Sequence, residues 1–269
     1  MGHLAVPQPY DFERSLDRFT FWGVDRANVW HDGGLHRVVN GREVRIAPAN
    51  GGVSVDPLDA VTEPVVRKLL GLEIELEPFY AFAQGDPVLA SAARRFVGYR
   101  PPLAPDPFEA LVSSITAQQV SLHAAFAVRS RLIERFGEPA DRAVAFPTRE
   151  RIASATEEEL TQLGFSRRKA EYVLGVARAE FDFGALEALP DDEVKVRLTS
   201  LRGLGEWSAD WFLARYLGRP EAWPAGDLGL RKAVLAFYPE VTDVRAAGVR
   251  FHPFQNLSAH YLLAAMRYQ

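Results

Sequence analysis

Leu201-Arg202-Gly203-Leu204-Gly205-Glu206-Trp207-Ser208-Ala209, with Pro224-Ala225-Gly226-Asp227-Leu228-Gly229-Leu230-Arg231-Lys232 shortly after it, is the stretch around which the chain is organised. Helical patterns flank it, from Asp191 to Ser200 and from Ser208 to Leu217, so two glycines one residue apart predict a tight hairpin between two helices. Gly203-Leu204-Gly205 also begins like a dinucleotide-binding fingerprint. That motif requires a strand before it, and a helix precedes it here. In a hairpin joining two helices, the N–H groups of the turn and of the second helix face outward and can bind a nucleic-acid phosphate without reading bases. A plain corner between two helices would use the same residues. Asp227 follows Gly226 and heads a helical run to about Phe237, the position of an ordinary N-cap. The helix dipole and N–H groups there favour an ionised carboxylate. In a partly desolvated cleft such a group can stabilise a developing cation or orient a water.

Working outward, helix dominates from Glu63 onward. Val65 to Gly71, Leu76 to Ala83 and Pro87 to Phe96 are apolar-rich, and Pro101, Pro102, Pro105 and Pro107 form a stiff crossing. Phe108 to Phe136 reads as one long amphipathic stretch whose middle, Gln118-Gln119-Val120-Ser121, interrupts the apolar run. Thr148 to Ala155, Thr156 to Leu163 and Ser166 to Glu180 follow, with a capping box at Thr156 and Glu159. Val244 to Val249 and Asn256 to Arg267 are the last helical candidates. The N-terminal part differs. A short helix from Asp11 to Phe19 precedes strand-like runs at Ala27 to His31, Leu35 to Asn40, Glu43 to Ala47 and Val53 to Asp56. Asp32-Gly33-Gly34, Asn40-Gly41 and Asn50-Gly51-Gly52 separate them, which predicts an antiparallel meander. His31 and His36 lie across the first of these turns, with no third ligand at metal-binding spacing.

With 269 residues the chain is long enough for two or three domains. The absence of cysteine excludes disulfides, thiol nucleophiles and thiolate metal sites. His252 and His260 lack metalloprotease spacing. No apolar run reaches bilayer length and the N-terminus has no signal pattern, so a cytoplasmic protein without membrane contact is expected. A net charge of −4 argues mildly against nucleic-acid binding, so clustering of the base decides. Arg129, Arg131 and Arg135; Arg167, Arg168 and Lys169; and Arg231 with Lys232 are the candidate clusters, each also readable as a solvated helix face.

The stretch from Leu201 to Ala233 resembles the signature of the helix-hairpin-helix/Gly-Pro-Asp superfamily of base-excision DNA glycosylases. Within it the chain is most similar to the DNA-3-methyladenine glycosylase II family. Phe108-Glu109-Ala110-Leu111-Val112 with Ile115 and Gln118-Gln119-Val120-Ser121 looks like that family's helix approaching DNA. Phe146-Pro147 through Leu163-Gly164-Phe165-Ser166-Arg167-Arg168-Lys169-Ala170 is similar to its next block. The resemblance covers about residues 76 to 269.

It implies a mainly α fold: two helical domains behind a small N-terminal α/β domain with an antiparallel sheet. Residues 1–75 are expected to form that first domain. In the helical region 76–269, one subdomain takes about 108–225, and the other takes 76–107 with 226–269, leaving the active-site cleft between them. Asp227 matches the catalytic aspartate. Trp207 stands where bifunctional members carry a Schiff-base lysine, and a tryptophan cannot do amine chemistry. A monofunctional enzyme is implied, hydrolysing the N-glycosidic bond of a flipped-out alkylated purine such as 3-methyladenine. Trp207 and Trp211, at i and i+4, would line the base pocket. Gln119 matches the wedge into the base stack, and Gly203, Gly205, Glu206 and Ser208 belong to the DNA-binding hairpin. The carbonyls of Leu201 and Leu204 would hold a monovalent cation, Na or K, when DNA is bound; no other cofactor is implied. The expected partner is double-stranded DNA with damaged bases, met by a monomer. Leu263 replaces a stacking tryptophan found on the last helix of the family's best-known member, which bears on the lesions accepted. The alternatives are a non-catalytic lesion-binding protein on the same scaffold, and a glycosylase for a deaminated or cyclic-adduct base.

Overall fold

The computed structural model describes residues 2–268. The N-terminal part comprises β1 (Gly2–Ala5), α1 (Phe12–Leu16), α2 (Arg18–Phe21), β2 (Val29–His31), β3 (Gly34–Val39), β4 (Arg42–Ala49), β5 (Gly52–Asp56) and α3 (Thr62–Leu69). Helices make up most of the remainder: α4 (Leu76–Ala83), α5 (Pro87–Arg95), α6 (Pro107–Ala117), α7 (Leu122–Phe136), α8 (Arg149–Ala153), α9 (Glu157–Gln162), α10 (Arg167–Arg178) and α11 (Asp191–Thr199). The last are α12 (Glu206–Arg215), α13 (Leu228–Phe237), α14 (Val244–Ala247) and α15 (Gln255–Arg267). The fold is mainly helical with an N-terminal antiparallel sheet.

The sheet runs β1-β5-β4-β3-β2, all antiparallel. Asp32 and Gly33, then Asn40 and Gly41, take positive φ in successive pairs, the geometry that lets a two-residue turn follow strand twist. Registration sets Leu35 against Ile46 and Ile46 against Val55, so one face is continuously apolar. The meander has a fifth strand that alternation does not announce. Gly2–Ala5 is too short to carry a pattern and forms by pairing with the edge of β5, where Leu4 opposes Val53. His36 Nδ1 lies 2.8 Å from a Glu43 carboxylate oxygen, and that carboxylate also accepts the N–H groups of Arg142 and Ala143. His36 thus has a structural partner in the sheet.

The stretch expected as one helix from Phe108 to Phe136 is two. Gln118 leaves α6 in an extended conformation (ψ 127°), Gln119 turns left-handed at φ 55°, and Ser121 caps α7 by accepting the Ala124 N–H at 3.2 Å. Polar side chains that compete for backbone bonds broke the helix and made a corner.

Three apolar clusters fill the molecule. One lies between the sheet, α1 and α3, around Leu16, Leu35 and Val55. A second gathers α4 and α5 with α13 and α15, around Phe79, Phe96 and the fully buried Tyr261. The third packs α6 to α12, around Leu111, Ile115 and Leu198. Leu263 packs against both helical clusters and marks the seam between them. Arg129, expected in a surface cluster, is instead buried at 7% exposure. It bonds Glu109 of α6 at 2.7 Å and Asp25 of the N-terminal part, while Arg37 of β3 pairs with the other Glu109 oxygen and donates to Asn28 at 2.8 Å. Buried charges persist only when matched this way, and two arginines facing two carboxylates bind the sheet to α6 and α7.

Candidate active site and DNA-facing hairpin

The loop before α13 turns tightly, with the Ala225 N–H on the Trp223 carbonyl and the Asp227 N–H on the Pro224 carbonyl, both at 2.8 Å. Asp227 then caps α13, its Oδ1 accepting the Leu230 N–H at 2.9 Å. That local duty occupies one oxygen. The other receives two indoles: Trp207 Nε1 and Trp211 Nε1 each donate to Oδ2 at 3.1 Å. The two tryptophans reach the same atom because i and i+4 share a face of α12. Three N–H donors therefore fix a half-buried carboxylate, and none of them is itself charged.

Next along that face, one more turn of α12 places Arg215 with its guanidinium 3.7 Å from the centre of the Trp211 ring. Burial, then the like charge of Arg18, pull Arg215 below the usual arginine range to about 9, while the Asp227 carboxylate acts in the opposite direction. His260 of α15 stands edge-on to Trp211 at 5.8 Å. Burial, followed by Arg215, Arg18 and Arg267, presses its pKa well below the ordinary histidine value, so it is neutral at pH 7. An added Cβ on Gly229 would lie 3.1 Å from Asp227 Oδ1 and 3.3 Å from Leu263 Cδ2, which puts Leu263 beside the carboxylate.

Trp207 and Trp211 were expected as pocket walls, and the structure separates them. Trp207 stays partly exposed. Trp211 is covered to 6% exposure, with Arg215 over one face and His260 at its edge, so its evident work is to hold Asp227. Neither Arg215 nor His260 was singled out from sequence as part of the site. Arg215 is the third member of a Trp207–Trp211–Arg215 helical stripe, and that spacing is its signal.

At the hairpin, the Leu204 N–H closes the turn on the Leu201 carbonyl at 3.1 Å, and Gly203 takes φ 94°. A Cβ on Gly203 would sit 2.1 Å from the Tyr172 ring of α10, so glycine is required for packing as well as for the turn. Gly205 is the N-cap of α12 and has no side chain to cap it. The backbone N–H groups of Glu206, Trp207 and Ser208 have no acceptor among the described residues. Such orphan donors at the positive end of a helix are able to receive an anion. Glu206 contributes only its N–H, since its carboxylate is clamped by Arg245 at 2.5 and 3.0 Å and held below the usual carboxylate range by it. The Ser208 hydroxyl is turned inward at 1% exposure.

Gln118 connects the hairpin to the corner between α6 and α7. Its Nε2 donates to the Gly203 carbonyl at 2.8 Å and to Ser208 Oγ at 3.3 Å. The neighbouring Gln119 is exposed and left-handed. Sequence reading chose Gln119 and missed the buttress beside it. The basic clusters also divide. Arg131 donates to the Leu163 carbonyl, Arg135 pairs with Glu159, and Lys169 donates to the Thr116 carbonyl. Arg167, Arg168, Arg231 and Lys232 are exposed with no partner among the described residues. Four free cations thus sit in the N-terminal halves of α10 and α13.

Residues 112–245 match the family described as HhH-GPD superfamily base excision DNA repair protein. A DNA-3-methyladenine glycosylase of Bacillus subtilis is 30% identical over 210 residues, covering 73% of this chain and 69% of its own. The solved 3-methyladenine DNA-glycosylase from Archaeoglobus fulgidus superposes with a TM-score of 0.90 at 28% identity, over 100% of this chain and 99% of that one. The Schizosaccharomyces pombe 3-methyladenine DNA glycosylase, solved in complex with abasic DNA, is similar with a TM-score of 0.59 at 25% identity, over 69% and 94% of the two chains.

Proposed function

The chain belongs to the HhH-GPD superfamily of base-excision DNA repair proteins, and from that premise we propose that it is a monofunctional glycosylase removing alkylated purines such as 3-methyladenine from double-stranded DNA. The convergence of both indole N–H groups on Asp227 Oδ2 carries the reading, because it aims a fixed carboxylate at one place.

A base inside a duplex must be extruded before its glycosidic bond is reached, at a cost of a few kcal/mol. Orphan N–H groups at the start of α12 hold a backbone phosphate, helped by the free cations on α10 and α13. Gln119 fills the gap left in the stack. Alkylation at a ring nitrogen makes the purine cationic, so it departs with the electron pair of its bond to C1′. The sugar becomes oxocarbenium-like, and the Asp227 carboxylate stabilises that charge. Water adds to C1′ and gives its proton to the carboxylate, leaving free base and an abasic site. Trp207 lines the pocket and offers a ring face to a cationic base, with Leu263 as an aliphatic wall. A lyase step lacks its lysine: Trp207 stands at the position where bifunctional members carry it, and Lys195 is paired with Asp210 at 2.8 Å.

The hairpin carbonyls suit a weakly held monovalent cation, being neutral oxygens in a turn with no carboxylate among them. Leu201 and Leu204 would hold Na or K there and add positive charge between turn and phosphate. The protein is taken to act as a monomer in the cytoplasm; among the described residues no helix is long and apolar enough to cross a membrane.

The test is chromatography of bases released from methylated DNA by the wild type and Asp227→Asn. Release by the wild type alone is expected, and equal release by both sinks the mechanism. Binding of alkylated duplex without release by the wild type would favour a lesion-binding protein on this scaffold.

A further inference from the structure

We propose that the N-terminal part contributes a second DNA contact, an apolar patch centred on Phe21 and Val24 that continues the Gln119 corner along the duplex. The proposal rests on the reading of the chain as a DNA-binding glycosylase, and it concerns a segment outside the helical region that carries the site.

Four of the large apolar side chains exposed among the described residues lie on the two segments that meet here: Phe21 at 43% and Val24 at 61% on one, Val120 at 46% and Leu122 at 40% on the other. They come from two parts of the chain that the structure joins. Trp22 meets His123, in the first turn of α7, edge-on at 5.3 Å, and Phe21 stands 4.7 Å from Trp22. Ser130 Oγ donates to the Val24 carbonyl, fixing the segment to α7. From behind, the Arg267 guanidinium lies 5.1 and 5.3 Å from the Phe21 and Trp22 rings and pairs with Asp17 at 2.8 Å. The patch is therefore anchored on several sides while its apolar tips face water. A monomer has no internal use for such an arrangement.

The occupant follows from continuity and from charge. Gln118 binds the hairpin, Gln119 projects beside it, and His123 touches Trp22, so hairpin, corner and patch form one continuous surface. The hairpin end of that surface is the phosphate site, which makes DNA the molecule that reaches the other end. Charge alone is a weak source of affinity in this chain. Its net charge is −4, and the arginines of this region are engaged: buried Arg129 and exposed Arg26 with carboxylates, Arg131 with a carbonyl. Proteins that open or bend DNA gain affinity by laying apolar side chains against sugars and unstacked base edges from the minor groove. Phe21 and Val24 are placed to do this next to the gap that Gln119 fills.

The experiment uses the full chain and a duplex carrying a tetrahydrofuran abasic-site analogue, with Kd read by fluorescence anisotropy between about 50 and 200 mM salt. The double variant Phe21→Ser/Val24→Ser is expected to raise Kd about tenfold at every salt concentration, leaving the slope of log Kd against log salt unchanged. Phe21→Leu, which keeps the surface apolar, should bind within twofold to threefold of wild type. Arg168→Ala should instead lower the salt slope by about one. Thermal unfolding is read for each variant: the double variant should melt somewhat lower, because Phe21 packs on Trp22 and under Arg267, yet stay fully folded at the temperature of the binding assay. A double variant that binds as tightly as wild type overturns the proposal. So does sedimentation showing a wild-type dimer that the double variant dissociates, because the patch then belongs to a second copy. Loss of base release by the wild type would count against the glycosylase reading and leave the binding result standing.

Discussion

Two helices about twenty residues apart, α12 and α13, begin in opposite ways. Gly205 brings no side chain to the start of α12, and three backbone N–H groups there find no acceptor among the described residues. Asp227 brings a carboxylate to the start of α13 and satisfies the Leu230 N–H with one oxygen. Every helix start has the same excess of donors. At α12 no side chain competes for the donors, which can receive an anion; at α13 one donor is taken by an anion of the chain's own, whose second oxygen two indoles then position. On the proposed function, the difference between a binding end and a chemical end is whether the cap residue has a side chain.

The largest expected effect breaks the chemical end without touching its cap. Asparagine keeps the cap oxygen but turns an NH2 donor toward the two indoles, so Asp227→Asn should still fold and bind DNA, at a stability cost of about 1–3 kcal/mol, while base release falls by about 10³-fold. Retained excision together with an unchanged melting temperature would remove the carboxylate from the mechanism. Next in size, Gly203→Ala forces a Cβ into the Tyr172 ring at φ 94°. A loss of about 2–4 kcal/mol in urea unfolding is expected, with weaker DNA binding in proportion to the disturbed turn. The sharpest test of the comparison is Gly205→Asp. The backbone there is at φ −103° and an added Cβ meets nothing within 4 Å, so the side chain fits. It should stabilise the fold by about 0.5–1 kcal/mol as a new cap and weaken duplex binding about tenfold by filling the anion site. Equal affinity for wild type and variant would mean that the open donors do not meet phosphate. The smallest effect is expected from Trp211→Phe, which keeps a ring under Arg215 and removes one donor from Oδ2. About 1 kcal/mol, or roughly fivefold in single-turnover excision, should be lost.

These contrasts were legible in the sequence to different depths. Capping is local, so Asp227 could be recognised from the Pro-Ala-Gly before it and the apolar helix after it. The hairpin was likewise visible in two glycines, and the meander in its Asn-Gly and Asp-Gly turns. The indoles were visible as an i, i+4 pair, but their target was not, since Asp227 lies 16 and 20 residues further along. Gln118 shows the same limit more strongly: its bond to Gly203 spans 85 positions. Charge was the least readable signal. Arg129, Arg131 and Arg135 look alike in sequence, yet one is buried between carboxylates, one props a carbonyl, and one makes a surface ion pair. Which cation stays free for DNA is decided by packing, and only Arg167, Arg168, Arg231 and Lys232 of the clustered ones do so.

The paired charges linking sheet to helices bear on how this protein can be cut and recombined. Arg37 and Asp25 come from the N-terminal part, and Glu109 and Arg129 from the helices that carry Gln118 and Gln119. A shortened chain starting near residue 76 keeps Glu109 and Arg129 but strips each of a partner, exposing to water a seam built to be dry. The helical part alone is therefore expected to be less stable than the whole chain, and a graft of a foreign N-terminal part should be tolerated best where it restores an arginine to Glu109 and a carboxylate to Arg129.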